Sequence, residues 1–188
     1  VSEIFTRALK NKTLSLTIDG ISASKNSIIK IISVPVGLKK NKIDLSSLID
    51  VSKNISKGLK KGDVVIISPS LPPGTTEKTI LPILEKSSGL KGEKDFFLIY
   101  NPERIFEGRA IDDIEKNYPA IVGGLGIKSA AFGKRLLELI SQKGVILMSS
   151  IANAESEKLF EGVYRDVNIA LANELAEFCD DVGVNYWE

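Results

Sequence analysis

Five short apolar runs, each closed by a loop, recur along the chain, and this rhythm constrains the fold more than any other feature. Ile28-Ile29-Lys30-Ile31-Ile32-Ser33-Val34 is β-branched and nearly all apolar, and Pro35 ends it. Val64-Val65-Ile66-Ile67-Ser68 follows Gly62-Asp63 and is broken by Pro72-Pro73-Gly74. Phe96 to Tyr100, Ala120 to Val122 and Gly144 to Met148 complete the series. Such runs suit strands buried on both faces, as in a parallel sheet covered by helices. Between them lie helical patterns. Leu48, Val51, Ile55 and Leu59 share one face of a helix over 45–59, with Asp44 as its N-cap. Thr75-Thr76-Glu77 opens a second helix toward Lys86, and a third covers 129–141. Strand, loop and helix in alternation predict an α/β domain with a parallel sheet.

Both ends of the chain depart from this rhythm. In the polar stretch 1–27, Ile4, Phe5, Ala8 and Leu9 have helical spacing, Leu14 to Ile18 alternates like a strand, and Asp19-Gly20 signals a turn. From Ala154 to Asp181 there is no proline and only one glycine, Gly162. Leu159, Val163, Val167, Ala170, Leu171, Leu175, Phe178 and Val182 make this one long amphipathic helix, expected to leave the sheet and pack elsewhere.

Composition narrows the chemistry. With 25 Lys and Arg against 24 Asp and Glu, the net charge of +1 leaves no electrostatic footprint for nucleic acid. The absence of histidine excludes an imidazole base and an imidazole metal site, and the single Cys179 excludes an intrachain disulfide. Cys179 sits on the apolar side of the long helix and reads as a structural thiol. No apolar run approaches the ~20 residues of a membrane span. The expected setting is cytoplasmic, with no nucleic acid, membrane or metal partner.

In open α/β sheets, ligands bind beyond the carboxyl ends of the strands. Loops 33–37, 68–76 and 101–109 should open on one such edge. Loop 68–76 combines hydroxyls, glycine and a helix N-terminus, which suits either an anion or a rigid capped turn. Loop 101–109 carries Glu103, Arg104, Glu107 and Arg109, either as a ligand site or as surface ion pairs. Lys158 stands among Glu155, Glu157 and Glu161, where an i,i+3 or i,i+4 charge pair is the ordinary outcome. Arg165, Asp166 and Asn168 form a polar cluster that suits a buried network or a ligand face.

Taken together, Ser70-Leu71-Pro72-Pro73-Gly74-Thr75-Thr76, Asn101-Pro102-Glu103-Arg104-Ile105-Phe106-Glu107-Gly108-Arg109-Ala110, Ala154-Glu155-Ser156-Glu157-Lys158-Leu159-Phe160 and the run Tyr164 to Leu175 resemble the UDP-glucose/GDP-mannose dehydrogenase family. The resemblance covers residues 28–188. The Pro-Glu-Arg triplet and Tyr-Arg-Asp-Val-Asn-Ile-Ala resemble its branch acting on UDP-N-acetyl-hexosamines. The fold so implied is a partial Rossmann-like parallel sheet followed by a long connecting α-helix. Residues 1–152 would be the second portion of an NAD-binding domain, and 153–188 the helix leading into a central dimerisation domain.

The resemblance implies two successive NAD-dependent oxidations at a sugar C6, through a cysteine thiohemiacetal and thioester. The implied substrate is UDP-N-acetyl-D-mannosamine, with another UDP-hexosamine or UDP-glucose as the alternative, and the implied assembly is a homodimer through the long helix. Carried over by position, Lys158 takes acid-base and oxyanion roles, and Glu103 assists water activation. Val36, Ser70 and Glu107 contact the cofactor, while Arg104, Ile105, Gly162 and Arg165 contact the substrate. Three departures stand out. Gly162 replaces a common Asn, at a cost of ~1 kcal/mol in helix propensity relative to Ala. Val36 and Ser70 stand where Thr is usual. Neither the family's GxGxxG loop nor its cysteine motif occurs in these 188 residues. The chain, which opens on Val1, is therefore expected to be an internal segment without activity of its own. A non-catalytic α/β module that associates through the long helix is the reading from a different class.

Overall fold

The structure is a computed structural model that describes residues 2–188; Val1 lies outside them. Two short helices, α1 (Ser2–Lys10) and α2 (Gly20–Lys25), precede strand β1 (Ile29–Ile32). A hairpin of β2 (Gly37–Lys39) and β3 (Lys42–Asp44) follows, then α3 (Ser46–Gly58) and β4 (Val64–Ile67). A π-helical turn (Thr76–Ile80) runs into α4 (Leu81–Ser88), followed by β5 (Phe97–Tyr100). After a short α5 (Ala110–Asp112) and a second π-helical turn (Asp113–Asn117) come β6 (Ala120–Gly124), α6 (Ile127–Glu138), β7 (Val145–Leu147) and the 32-residue α7 (Ile151–Val182).

The five expected strands form one sheet in the order β1-β4-β5-β6-β7. β1, β4 and β5 are parallel, and so are β6 and β7, but the two blocks meet antiparallel, with Ile99 opposite Gly124 and Tyr100 opposite Gly123. The segment joining β5 to β6 contains only short helical turns and no crossover helix. The chain therefore re-enters the sheet from the edge at which it left, reversing the strand direction.

Side chains alternate between two faces. Val65, Ile67, Leu98, Tyr100 and Ile121 pack with Leu48, Ile55, Leu84, Ile151 and Ala154 beneath α3, α4 and the start of α7. Val64, Ile66, Ile99 and Val122 pack beneath α6, against Phe132, Leu136 and Leu137. β4 is thus buried on both faces, as its continuous apolar run requires. β1 is not: Ile32 is buried, but Ile31 on the opposite face is 65% exposed, because α6 covers only the far half of the sheet. Gly123 allows α7 to approach β6, since a Cβ there would lie 2.8 Å from the Ile151 Cα.

Several local expectations change. Residues 14–18 form no strand; they find no partner, and Leu16 is 71% exposed. Asp19 is an N-cap and not merely part of a turn, its Oδ1 accepting from the Ile21 and Ser22 N–H groups of α2. The β2–β3 hairpin turns through Lys40 and Asn41, both at positive φ, as a two-residue primed turn requires. Helix α4 contains Pro82 near its start, and just before it the Leu81 N–H bonds the Thr76 carbonyl, so the ladder slips by one residue into a π-turn.

Candidate functional site

Since β1, β4 and β5 are parallel, loops 33–37, 68–76 and 101–109 open on one edge of the sheet, as expected. Helix α7 begins over Gly123 and runs past the second of these loops. Glu155 is completely buried there, and its carboxylate accepts the Gly74 and Thr76 N–H groups, the latter at 2.9 Å. The helix N-terminus read as a place for an external anion already holds an internal one. Tyr100 is buried beside it, its hydroxyl donating to the Pro69 carbonyl at 2.9 Å. Burial pushes the Tyr100 phenol well above its usual range, and the charge of Glu155 adds to this.

With Glu155 fixed, Lys158 comes to lie one turn further along α7, beside Ser70. Ser70, Lys158, Gly162, Arg165 and Asp166 line one groove of about 380 Å³. Lys158 does not form the charge pair that its neighbours offered. Glu155 binds backbone N–H groups, and Glu161 binds Arg104. The half-buried ammonium is therefore left facing the groove. A Cβ at Gly162 would meet nothing within 4 Å, so the groove is open at the position where the resemblance implies an amide side chain.

The loop after β5 lines a second, more apolar groove, also about 380 Å³. Ser33, Ser68, Asn101, Glu103, Arg104 and Ile105 contribute to it. The Glu103 N–H donates to the Ser68 carbonyl at 3.1 Å, and its exposed carboxylate accepts the Ile105 N–H. Asp113, which has no motif around it, orders the far side of this loop. It accepts from the Phe106 N–H at 2.9 Å and the Asn117 amide at 2.6 Å, and these bonds hold its carboxyl below the usual range. Arg165 lies 5.6 Å from the Phe106 ring centroid, so the first groove touches this loop. Val36 joins Ser70 in a third, smaller hollow with Leu159. Glu107 lies exposed in the turn before Gly108 and lines none of these grooves.

Arg104 links the two larger grooves. Its Nε and Nη2 donate to the two carboxylate oxygens of Glu161 at 3.1 and 3.0 Å, and Nη1 donates to the Pro119 carbonyl at 3.2 Å. Its guanidinium also sits 5.4 Å from the Tyr118 ring centroid. The bonds from Arg104 hold the Glu161 carboxyl below its usual range. Glu157, one turn before Glu161, behaves oppositely: burial raises it, and its Oε2 has no hydrogen-bond partner among the described residues.

A raised carboxyl gives a pH signature of known sign. The folded state keeps the Glu157 proton to higher pH than the unfolded chain does, so its ionisation weakens the fold as pH rises just above the ordinary glutamate range. Glu157→Gln is expected to flatten that part of the stability curve and to raise Tm modestly at neutral pH. Melting both proteins between about pH 4 and 7 checks this; parallel curves would contradict it.

Cys179 is half-buried on α7, and 21 positions separate it from Lys158. At 1.5 Å per residue this is about 30 Å of helix, which removes it from the groove. Among the described residues, no cluster of acidic or thiol groups is arranged to hold a metal ion.

Residues 1–141 match the model of the UDP-glucose/GDP-mannose dehydrogenase family, NAD binding domain, and residues 152–188 match that of the family's central domain. The UDP-N-acetyl-D-mannosamine dehydrogenase of Pyrococcus horikoshii is 37% identical over 170 residues, covering 90% of this chain and 40% of that protein. The UDP-N-acetyl-D-glucosamine 6-dehydrogenase of Pseudomonas aeruginosa is 39% identical over 159 residues, covering 82% and 37%. A ternary complex of GDP-mannose dehydrogenase from Pseudomonas aeruginosa superposes with a TM-score of 0.89 at 25% identity, covering 96% of this chain and 42% of that one. The chain thus spans about two-fifths of the length of the relatives it matches. Sequence match and fold agree, and the chain belongs to the UDP-glucose/GDP-mannose dehydrogenase family.

Proposed function

We propose that this chain supplies the Lys158 groove of an NAD-dependent nucleotide-sugar 6-dehydrogenase that oxidises UDP-N-acetyl-D-mannosamine to its uronic acid. The observation that carries the reading is the convergence of Ser70, Lys158, Gly162 and Arg165 on one groove beyond the strand ends. An ammonium without a carboxylate partner beside a hydroxyl suits a substrate alkoxide: its charge would stabilise the oxygen as the C6 hydroxyl gives up its proton, the hydrogen on C6 leaving as hydride. Arg165 lies where it can meet a sugar or phosphate oxygen in the same groove. Glu103, exposed on the neighbouring loop, serves water activation in the hydrolytic half of the reaction.

The cofactor fits the residues present in one respect. Ser33, Ser68 and Asn101 follow the three parallel strands at the edge where such sheets bind nucleotides, beside the exposed apolar Ile31. Val36 and Ser70, which share one hollow, would hold the nicotinamide end, Val36 offering apolar contact and Ser70 a hydroxyl, while Glu107 stands outside that hollow. NAD, when bound, accepts the hydride. The glycine loop that would cradle its pyrophosphate is not among these residues, and neither is a nucleophilic cysteine within reach of Lys158. The 188-residue chain alone is accordingly expected to turn over no sugar.

The proposed division places 1–152 in the cofactor domain and 153–188 in the connecting helix. Phe160, Tyr164, Val167, Leu171 and Phe178 are exposed along α7 and offer the surface on which a second copy would dock. A cytoplasmic setting and a role in making uronic acids for surface glycans belong to the same reading. No described helix is long and apolar enough to cross a membrane.

A second substrate, UDP-N-acetyl-D-glucosamine, is favoured by the 39% identical relative named for it. The deciding experiment assays the full-length product of the gene encoding this chain against a panel of UDP-sugars. Two equivalents of NADH per UDP-N-acetyl-D-mannosamine support the proposal. Preference for another UDP-sugar corrects the substrate, and no NADH with any sugar removes the dehydrogenase reading in favour of a non-catalytic association module.

A further inference from the structure

Arg104, expected to contact substrate, commits three of its five N–H donors inside the protein. Three of its N–H groups go to Glu161 and Pro119, and one face of its guanidinium meets Tyr118. Only 18% of its side chain is exposed, against 39% for Glu161. A bidentate fork of this kind fixes orientation as well as distance. It also supplies the hydrogen bonds that join two parts of the site among the described residues. Arg104 follows Glu103 in the loop after β5, and Glu161 lies three residues from Lys158 on α7.

Arg165 of α7 also stacks near the Phe106 ring of that loop, without a hydrogen bond, while the loop's two backbone anchors point elsewhere. The Glu103 N–H is tied to β4 through Ser68, and the Phe106 N–H to the second π-turn through Asp113. Neither reaches α7. On its other side, α7 is held by Glu155 to loop 68–76. Lys158 thus sits between two glutamates, each three residues away, that dock the helix to two different loops.

Resting on the dehydrogenase reading, we propose that Glu161 is a positioning residue: by gripping Arg104 it sets where the Glu103 loop stands relative to Lys158. Arg104 then acts through geometry and not by holding the sugar. Loss of the fork leaves both loop and helix folded but lets their spacing drift. A misplacement of about 1 Å between reacting groups reduces turnover by up to ~100-fold.

The test uses the full-length gene product with Glu161→Gln, Arg104→Gln, the double variant and Arg104→Lys, read by steady-state kinetics and amide hydrogen exchange. Expected is a fall in kcat of about 10- to 100-fold in each single Gln variant, with KM for the nucleotide sugar little changed. The double variant should be no worse than either single one, since both remove the same contact. Arg104→Lys keeps the charge without the fork and should restore only part of kcat. Exchange should rise at residues 103–106 and not in β4 or β5. A raised KM with intact kcat in Arg104→Gln, together with a normal Glu161→Gln enzyme, would overturn the proposal in favour of direct substrate contact. Unchanged exchange in the loop would overturn it as well. Wild-type protein that oxidises no nucleotide sugar would fail the underlying reading instead, and the positioning role with it.

Discussion

Replacing Lys158 by methionine is expected to abolish sugar oxidation in the full-length gene product while leaving its melting temperature nearly unchanged. Methionine keeps an unbranched stem of similar length and a good helix propensity, so α7 loses little. What disappears is a charge that the fold does not use. Glu155 and Glu161, the two glutamates three residues either side, are bound to the Gly74 and Thr76 N–H groups and to Arg104. The side chain lies in the groove with Ser70 and Arg165. Groups that stabilise an oxyanion or transfer a proton contribute roughly 10²- to 10⁴-fold each, so kcat should fall by that order. A surface substitution without structural role moves stability by only about 0.5 kcal/mol. Steady-state kinetics and a thermal melt on the same preparation check both halves. Turnover above a tenth of wild type would remove Lys158 from the chemistry, and a large drop in Tm would make it a structural residue.

Lys30→Met should do the reverse, unfolding the domain without touching the site. Lys30 and Asp63 are a buried pair 2.6 Å apart, with side-chain exposures of 4% and 6%. The ammonium also donates to the Ser27 carbonyl, and the same Asp63 oxygen accepts the Lys60 N–H at 2.7 Å. The network staples the start of β1 to the start of β4, at the sheet edge away from the ligand loops. Removing the cation leaves a buried carboxylate with one backbone donor, and breaking such a pair from one side costs about 3–5 kcal/mol. For a domain of this size that lowers Tm by roughly 6–20 °C. Adding Asp63→Asn removes the orphan charge and keeps an acceptor for Lys60, so the double variant should recover part of the loss. Denaturant or thermal melts on the four proteins of this cycle measure the coupling. A loss under about 1 kcal/mol would mean that water reaches the pair and that it is not sealed as its burial indicates.

The site was more legible than the pairings that hold it. Lys158, Ser70, Gly162 and Arg165 could be named from motif order, and the tertiary structure brings them into one groove. Val36 reaches Ser70 only at its margin, and Glu107 stays apart in its turn. Glu155 carried no signal beyond being one glutamate among several, yet it takes the helix N-terminus that loop 68–76 presents. Its partners lie 81 and 79 residues away. Asp113 carries no local signal, because its partners, the Phe106 N–H and the Asn117 amide, belong to a loop and a turn with no regular pattern. Nothing local to Arg104 shows that its fork meets Glu161, 57 residues on.

What the residues decide by themselves is local. Continuous apolar runs place β4 and β5, and a period of 3.6 places α3 and α7, because burying a short strand or one face of a helix shows in residues only a few positions apart. The alternation at 14–18 is just as local and yields no strand, for a strand also needs a partner. Strand direction is likewise a long-range property. β6 runs against β5 because the chain between them never crosses the sheet, and no feature of Ala120-Ile121-Val122 encodes that. The chemical types at the site were therefore written in the order of the chain. Which charges are spent on the fold, and that Lys158 is left facing a groove without a carboxylate partner, was decided only when loop, helix and strand ends met in space.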